Sequence, residues 1–459
     1  MGSPDVIVVG AGPAGLATAI ALRLGGRDVR VLEKRKPPLD KACGEGIMPL
    51  GVARLKSLGV MPEESFSLEG IRYVTALGER VTARFPSGHL GLGVRRLALH
   101  AALAARAIEI GVEIQWGTEV KGFTGGALAT SAGQQRAAWY VGADGLHSTL
   151  KDYVVGGAEV SGSDRKGRAQ EGGSRQTFPL QTLPPKETAR RRIADSLRQT
   201  AAQGLTACVR LTNAKPRPER YGLRQHFLTA PWSPYIEVYW HESCEAYVTP
   251  VSPGCIGVAL LFSERPASFA GLLSHFPELE RRLRGLAPAS EVRGSGPLWQ
   301  PRTRRVRHNV ALVGDAAGYL DAITGEGLSL AFEEAHLLAE ALQQDAWSGY
   351  ALASQRLRRQ PEAIIRALLV LQARPRLTAR LLESLCASPS LFTHLVEMNC
   401  GLAEPWCVPL RGLLQAGVHL VRSASPPRGV AAPDGACSKG DSASSVPRER
   451  ASGADAFEP

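Results

Sequence analysis

Residues 5–26 of the sequence, DVIVVGAGPAGLATAIALRLGG, decide the fold. The run Asp5–Val9 is rich in β-branched side chains, as a strand buried on both faces of a parallel sheet requires. Gly10, Gly12 and Gly15 follow in the GxGxxG spacing, and small aliphatic residues then continue as a helix that ends at a Gly-Gly pair. The first glycine permits a tight turn, the second lets backbone approach a pyrophosphate, and the third lets helix pack on strand. The segment predicts the start of a Rossmann-like dinucleotide-binding domain.

The next strand supports this prediction. The sequence DVRVLEK places Glu33 eighteen residues after Gly15, where a carboxylate accepts hydrogen bonds from an adenosine ribose. We expect Lys34 beside it, and Pro13 and Ala14 in the turn, to contribute further contacts. The arrangement favours dinucleotide binding over a purely structural turn, but FAD and NAD share this fingerprint.

Three later motifs select FAD. They are Gly314 and Asp315 after a strand at 310–313, Gly325 to Gly327 at the start of a long helix, and Asp144 with Gly145 after another strand. An aspartate at a strand end beside a helix N-terminus suits a polyol hydroxyl on one side and an anionic ring edge on the other. Those are features of the ribityl chain and ring of a flavin.

The pattern resembles the flavoproteins of the para-hydroxybenzoate hydroxylase fold, a group that includes aromatic hydroxylases, geranylgeranyl reductases and flavin-dependent halogenases. The stretch KACGEGIMPLG (41–51) and the loop GDAAGYLDAITGEGL (314–328) are most similar to the geranylgeranyl reductase branch. The resemblance implies that Asp315 holds a ribityl hydroxyl, that backbone at 325–327 faces flavin N1 and O2, and that Asp144 and Gly145 lie near the FAD phosphate. It also implies that Arg96, or Arg95 in the alternative register, opens a helix beside the cofactor.

The resulting expectation is an α/β protein in several segments. Residues 1–70, 91–155 and 295–345 form a discontinuous Rossmann-like FAD-binding domain; 71–90 and 219–294 form an antiparallel β-sheet substrate domain; 156–218 is a basic, low-complexity insertion, largely disordered; 346–422 is a C-terminal helical region; and 423–459 is a disordered tail.

Cys43 and Glu45 are the candidate catalytic residues, each with a structural alternative. Cys43 lies either by the reactive face of the flavin on a mobile loop or in the core as a small hydrophobe. Glu45 is either a site carboxylate or the N-cap of a helix at GVARLKSLGV. His226, Tyr239 and His241 are candidates only because they lie on strands expected to cover the flavin, and a packing role is favoured for each.

Composition narrows the remaining possibilities. The chain has 459 residues, 44% hydrophobic and 21% charged, which indicates a globular fold. Much of its net charge of +11 falls within 156–220, and we interpret that as a hydrated loop, so no nucleic-acid partner is expected. The eight cysteines show no zinc spacing, so no metal is expected. We expect a cytoplasmic location, no obligate protein partner, and, as a minority interpretation, peripheral membrane contact through the C-terminal helices.

These features predict an NAD(P)H-driven, FAD-dependent monooxygenase that acts on a small hydrophobic organic substrate. A flavin-dependent double-bond reductase of the geranylgeranyl reductase type is the first alternative, and a non-catalytic FAD-binding module is the second. Halogenation ranks lower because the Trp-x-Trp-x-Ile motif is missing from the sequence. The sequence has no second Rossmann fingerprint, so a nicotinamide reductant would bind only transiently.

Overall fold

The computed structural model describes residues 3–156, 219–263, 268–404 and four positions from 409 to 415. The predicted basic insertion, apart from Gly156, and the predicted tail lie outside the described residues. Most of the predicted C-terminal helical region is described.

The first sheet contains the strand that opens the chain. Its strands are β1 (Val6–Val9), β2 (Val29–Glu33), β8 (Glu113–Trp116), β12 (Trp139–Gly142), β18 (Val306–Arg307) and β19 (Val310–Leu312). They are ordered β18-β19-β12-β1-β2-β8, and all pair in parallel except β18 with β19. β1 lies between two parallel neighbours and is completely buried, which explains its unbroken β-branched run.

Alternation along β1 builds two cores. Val6 and Val8 face a core with helices α1 (Pro13–Leu24), α3 (Arg96–Glu109) and, after the chain returns, α7 (Gly327–Gln343). Ile7 and Val9 face the opposite core. That core is closed by helix α4 (Thr149–Gly156) and a small sheet of β9 (Val120–Thr124), β10 (Ala127–Thr130) and β11 (Gly133–Gln135).

The second large sheet has seven strands. They are β5 (Gly70–Val74), β6 (Arg80–Arg84), β13 (Tyr221–Leu228), β14 (Tyr235–Trp240), β15 (Cys244–Ser252), β16 (Cys255–Phe262) and β17 (Arg293–Ser295), in the order β17-β13-β16-β15-β14-β5-β6. The pairings are antiparallel, with one exception: β5 runs parallel to β14. This differs from the wholly antiparallel sheet expected, because β5 and β14 are far apart in sequence and no hairpin fixes their relative direction.

The two faces of this sheet meet different partners. On β14, Tyr239 faces a core with helices α5 (Phe269–Leu273) and α6 (Pro277–Leu283). Ile236 and Val238 face the other side, toward the helices that follow α7. These are α8 (Trp347–Gln372), α9 (Pro375–Ala387) and α10 (Pro389–Asn399).

A fourth sheet, also three-stranded, and a short helix complete the description. The sheet is ordered β3-β7-β4, from β3 (Gly46–Ile47), β7 (Gly91–Gly93) and β4 (Phe66–Leu68), and helix α2 is Pro49–Ser57. Of the helices described, none combines the length and apolar character needed to cross a bilayer.

Candidate active site

A cavity of about 1330 Å³ runs from the opening turn of the chain to the C-terminal helices. It has two parts, which we name for what lines them. The turn-lined half is bordered by Gly10, Gly12, Glu33, Arg96, Asp144, Gly145, Gly314, Asp315, Gly325 and Gly327. The chamber is bordered by apolar side chains, among them Ile71, Val238, Ile364, Leu368, Leu385 and Phe392.

The three glycines of the opening turn have different surroundings. Gly10 has φ +102°, and a Cβ there would lie 2.6 Å from the backbone oxygen of Ala143. A Cβ on Gly15 would lie 1.8 Å from the carbonyl oxygen of Gly10, so this position is closed to side chains. Gly12 instead faces open space, with an Arg96 Nη2 at 3.9 Å as the nearest atom. The turn is therefore tight at its base and open toward the cavity.

Helix α1 points its first turn toward this open side. Its N-cap is Gly12, with no side-chain cap, and Pro13 and Ala14 also line the cavity. Uncapped N–H groups and the positive end of the helix dipole favour an anionic group such as a diphosphate.

Glu33 is buried at the end of β2. Its Oε2 accepts a hydrogen bond from the Ala11 backbone N–H at 2.9 Å, and Oε1 accepts one from the Arg35 N–H at 3.0 Å. Lys34, predicted to contact the cofactor, is exposed and does not line the cavity, because successive residues of an extended chain point in opposite directions. Arg35 lines it instead, and the sequence analysis missed that residue.

The turn carrying Asp315 is held from behind. Gly314 donates its N–H to Glu334 Oε2 at 2.8 Å, and Arg358 of α8 donates to the carbonyl oxygens of Gly314 and Gly318 at 3.1 and 3.0 Å. Burial alone would raise the pKa of Glu334, but the Arg358 and Arg305 charges outweigh burial and lower that pKa to about 2. Helix α8 is thus hydrogen-bonded to the turn that carries Asp315.

Asp315 itself faces the opposite wall of the cavity. Its Oδ2 lies 3.7 Å from Lys41 Nζ, at the start of the segment that contains Cys43. Asp144, on the third motif, accepts a hydrogen bond from the Thr149 N–H at 2.7 Å and so begins α4. Gly145 takes φ +79°.

Glu326 is a buried residue between two glycines that line the cavity. It precedes α7, between Gly325 and Gly327, and burial raises the pKa of its carboxyl to about 8. Asn399 Nδ2, at the end of α10, donates to Glu326 Oε1 at 3.3 Å. The start of α7 is therefore tied to the helix that closes the chamber.

The residues present fit FAD. The required donors and acceptors for a diphosphate, a ribose and a ribityl chain are present. They are the open turn at Gly12, two helix N-termini without side-chain caps, the buried carboxylate of Glu33 and the half-exposed carboxylate of Asp315. Gly15 does not line the cavity, in keeping with a packing role. Arg96, the first residue of α3, lines it, and Arg95 is the N-cap.

Cys43 and Glu45 both line the cavity, and the segment around them is clamped from the large sheet. Thr249 donates to the Gly44 carbonyl at 2.9 Å, and Arg224 donates to Asp40 at 2.5 Å. Cys43 is half-buried and its Sγ accepts from the Glu45 N–H at 3.4 Å. The alternative of a fully buried Cys43 is wrong.

Glu45 is at the centre of a buried network. It adopts φ +60°, a left-handed conformation that is uncommon for a residue with a side chain. Its Oε1 accepts from the Arg96 N–H at 2.8 Å, and its Oε2 lies 2.5 Å from His226 Nε2. His226 Nδ1 lies 3.1 Å from Arg224 Nη1, and because a guanidinium only donates, this pattern assigns the imidazole hydrogen to Nε2.

The expectation that Glu45 caps the following helix is wrong. The N-cap of α2 is Met48, with no side-chain cap, whereas Glu45 accepts from the first turn of α3. β3 pairs antiparallel with β7, so Glu45, just before β3, lies beside the start of α3, which follows β7, whereas α2 begins at the other end of the pair. Proximity in sequence therefore favoured the wrong helix. Of the strand candidates, His226 belongs to the Glu45 network. Tyr239 donates to Glu237 on the far face of the sheet, and His241 stacks on His275; neither lines the cavity.

The chamber was missed from the sequence. Its wall on α8 follows helical spacing through Gln360, Ala363, Ile364, Ala367 and Leu371. That spacing was available, but it predicts an apolar face and not whether protein or ligand covers it.

Comparisons with known proteins agree with this geometry. Residues 3–173 match the FAD binding domain family. The chain is 27% identical over 363 residues to a menaquinone reductase of Mycolicibacterium smegmatis, covering 76% of this chain and 78% of that protein. It is 26% identical over 359 residues to a chloroplastic geranylgeranyl diphosphate reductase of Oryza sativa, covering 75% and 67%. A flavin-dependent brominase structure superposes with a TM-score of 0.64 at 17% identity, covering 92% and 98%, and shows the shared fold.

The chain is an FAD-dependent oxidoreductase. Its fold and motifs resemble those of the flavoproteins of the para-hydroxybenzoate hydroxylase fold group, with the greatest likeness to the geranylgeranyl reductase-like branch. The predicted FAD cofactor is confirmed, and an enzyme is supported over a non-catalytic module.

Proposed function

We propose that this enzyme is a reductase that adds hydrogen across a carbon–carbon double bond in the isoprenoid chain of a lipid. The chamber is the observation that carries the proposal. A long hydrocarbon chain has no polar groups to satisfy, and the chamber walls on α8, α9 and α10 are aliphatic and aromatic side chains. With a volume of about 1330 Å³, the whole cavity exceeds the range of roughly 300–1,000 Å³ typical of a site for one small ligand.

The chamber continues directly from the turn-lined half. A Cβ on Gly325 would lie 3.7 Å from the Met48 methyl, and Met48 packs in the same apolar cluster as Leu385 and Phe392. Tyr247 lines the cavity, and its hydroxyl donates a hydrogen bond to the Ile323 carbonyl at 2.9 Å. This bond fixes the loop that contains Ile323 against the sheet. A chain held in the chamber therefore reaches the turns proposed to hold the flavin.

The likeness to two reductases of isoprenoid compounds, each spanning about three quarters of this chain, supports reduction over the oxygenation that the sequence analysis placed first. FAD, once reduced by the nicotinamide donor, would supply the hydride that the double bond takes up, and a proton from water would complete the addition. The protein's part is to orient the chain, to exclude water with apolar walls, and to hold the Cys43 segment against the Asp315 turn through Lys41. We also propose NAD(P)H as the transient reductant and retain a cytoplasmic location as a proposal.

A direct test uses purified, FAD-loaded enzyme reduced without oxygen by NADPH or NADH, then given menaquinone or a polyprenyl diphosphate. The expected product gains two hydrogens and carries solvent deuterium when the reaction runs in D₂O, as read by mass spectrometry. A product that instead gains one oxygen atom, and only in air, would establish the monooxygenase alternative. Flavin that neither nicotinamide bleaches would contradict the proposed reductant.

A further inference from the structure

The corner between α8 and α9 stands out among the described surfaces. Residues 373–380, ARPRLTAR, are all exposed except the half-buried Thr378. The corner carries Arg374, Arg376 and Arg380 and no acidic residue. Within the described part of the chain, none of these arginines has an ion pair within 4.0 Å.

Apolar side chains accompany this charge. Leu377 is 41% exposed in the middle of the corner, and Leu395 of α10 is 38% exposed. Lone exposed leucines are ordinary on protein surfaces. Here, however, Leu395 also lines the cavity, so this apolar surface is continuous with the interior of the chamber.

The corner forms part of the chamber's rim. Leu371 and Leu381, which flank it in sequence, both line the cavity. On α9, Leu381 and Leu385 lie one turn apart and face the chamber, whereas Arg376 and Arg380 lie one turn apart on the exposed side. Arg356 and Arg359 of α8, both exposed, also line the cavity. Arginines of α8 and of the corner thus lie beside an apolar opening.

We propose that the α8–α9 corner docks on an anionic phospholipid bilayer, with Arg374, Arg376 and Arg380 at the lipid headgroups and Leu377 inserted among them. Exposed arginines are attracted to anionic lipid headgroups, and an exposed leucine among them adds apolar contact at the bilayer interface. The chamber then opens toward the membrane, so a membrane-resident isoprenoid lipid enters without crossing water. The purpose assigned to the surface rests on the proposed function; the docking itself does not.

The test is co-sedimentation of the full-length, FAD-loaded protein with phosphatidylcholine vesicles, with and without phosphatidylglycerol. Each arginine near an anionic surface contributes about fivefold to partitioning. The variant R376Q/R380Q is therefore expected to bind the anionic vesicles about 25-fold more weakly. The matched control, R281Q/R284Q, removes two exposed arginines at α6, on the opposite face of the large sheet, and is expected to bind like the wild type.

A second variant separates insertion from attraction. L377N is expected to weaken vesicle binding while leaving its dependence on salt unchanged, because the leucine carries no charge. Undiminished binding of R376Q/R380Q, or an equal loss in R281Q/R284Q, would overturn the proposal. Since the assay contains no substrate, corner-dependent binding by an enzyme that reduces no isoprenoid lipid would support the docking surface and contradict only the proposed function.

Discussion

The turn-lined half of the cavity is bordered largely by backbone, whereas the chamber is bordered almost wholly by side chains. In the first, Gly10 and Gly15 lie so close to neighbouring carbonyl oxygens that no other residue fits. In the second, any residue of similar size and polarity along α8 would preserve a wall. A backbone constraint requires glycine at fixed positions, so it is visible as a motif in the sequence. A side-chain wall requires only apolar residues at helical spacing, so it is visible only as a periodic pattern.

Substitutions in the opening turn give the strongest test of this difference between the two halves of the cavity. G15A is expected to destabilise the fold by about 3 kcal/mol or more, because the added Cβ meets the Gly10 carbonyl, which belongs to the buried turn. G12A places its methyl in open space, so it is expected to fold normally but to bind FAD at least tenfold more weakly. Thermal unfolding of the apoproteins and FAD titration distinguish the two outcomes.

Gly254 provides the control for both variants. A Cβ there meets nothing within 4 Å, so G254A should have the melting temperature and the FAD affinity of the wild type. A G12A variant that retains full FAD affinity would remove Gly12 from the proposed cofactor site.

The next largest effect is expected at Glu334, which connects the two regions. E334Q leaves Arg305 and Arg358 buried without a compensating charge, at a cost of about 3–5 kcal/mol, and should release FAD as the Asp315 turn loosens. E333Q is the control, because Glu333 pairs with a partly exposed Arg54 and should cost at most about 1 kcal/mol.

The same carboxyl predicts the acid limit of stability. Its pKa falls from an ordinary 4.5 to about 2 on folding, so it stabilises the fold fully above pH 4.5 and loses that contribution as the pH falls toward 2. Acid titrations followed by circular dichroism should show a shallower loss of stability across this interval in E334Q than in E333Q. Parallel curves would contradict the assignment.

These differences explain what the sequence could and could not predict. The spacing of the glycines and the position of carboxylates at strand ends correctly placed Gly12, Glu33, Asp144 and Asp315 at the cavity. Backbone geometry demands those residue types there. Lys34 was predicted at the cavity but points away from it, because neighbouring residues of an extended chain point in opposite directions. The Glu45–His226 contact joins residues 181 positions apart, and no local pattern encodes such a pair. The domain boundaries remain predictions.

The chamber is tested by narrowing it. A363F projects a ring from α8 into the cavity and is expected to lower turnover of a long isoprenoid substrate about tenfold or more, while FAD content stays unchanged. L352F adds similar bulk on the same helix at a residue that is 51% exposed and should change neither property. Turnover of long and short isoprenoid substrates, compared with bound-flavin absorbance, gives the answer; equal losses for both lengths would argue against the chamber as the site of the chain.

The smallest effect is expected where Tyr247 of the seven-stranded sheet contacts the loop that precedes Gly325. Y247F deletes the hydroxyl that donates to the Ile323 carbonyl, leaving a buried acceptor unpaired at a cost of about 1 kcal/mol. Because Ile323 lies only two residues before Gly325, the loosened loop should also weaken FAD binding, whereas loss of packing alone would lower the melting temperature and leave affinity intact. Y73F, at the neighbouring tyrosine in the chamber wall, keeps this hydrogen bond and serves as the comparison. If Y247F and Y73F bind FAD equally well, the chamber and the turn-lined half are joined by packing rather than by this hydrogen bond.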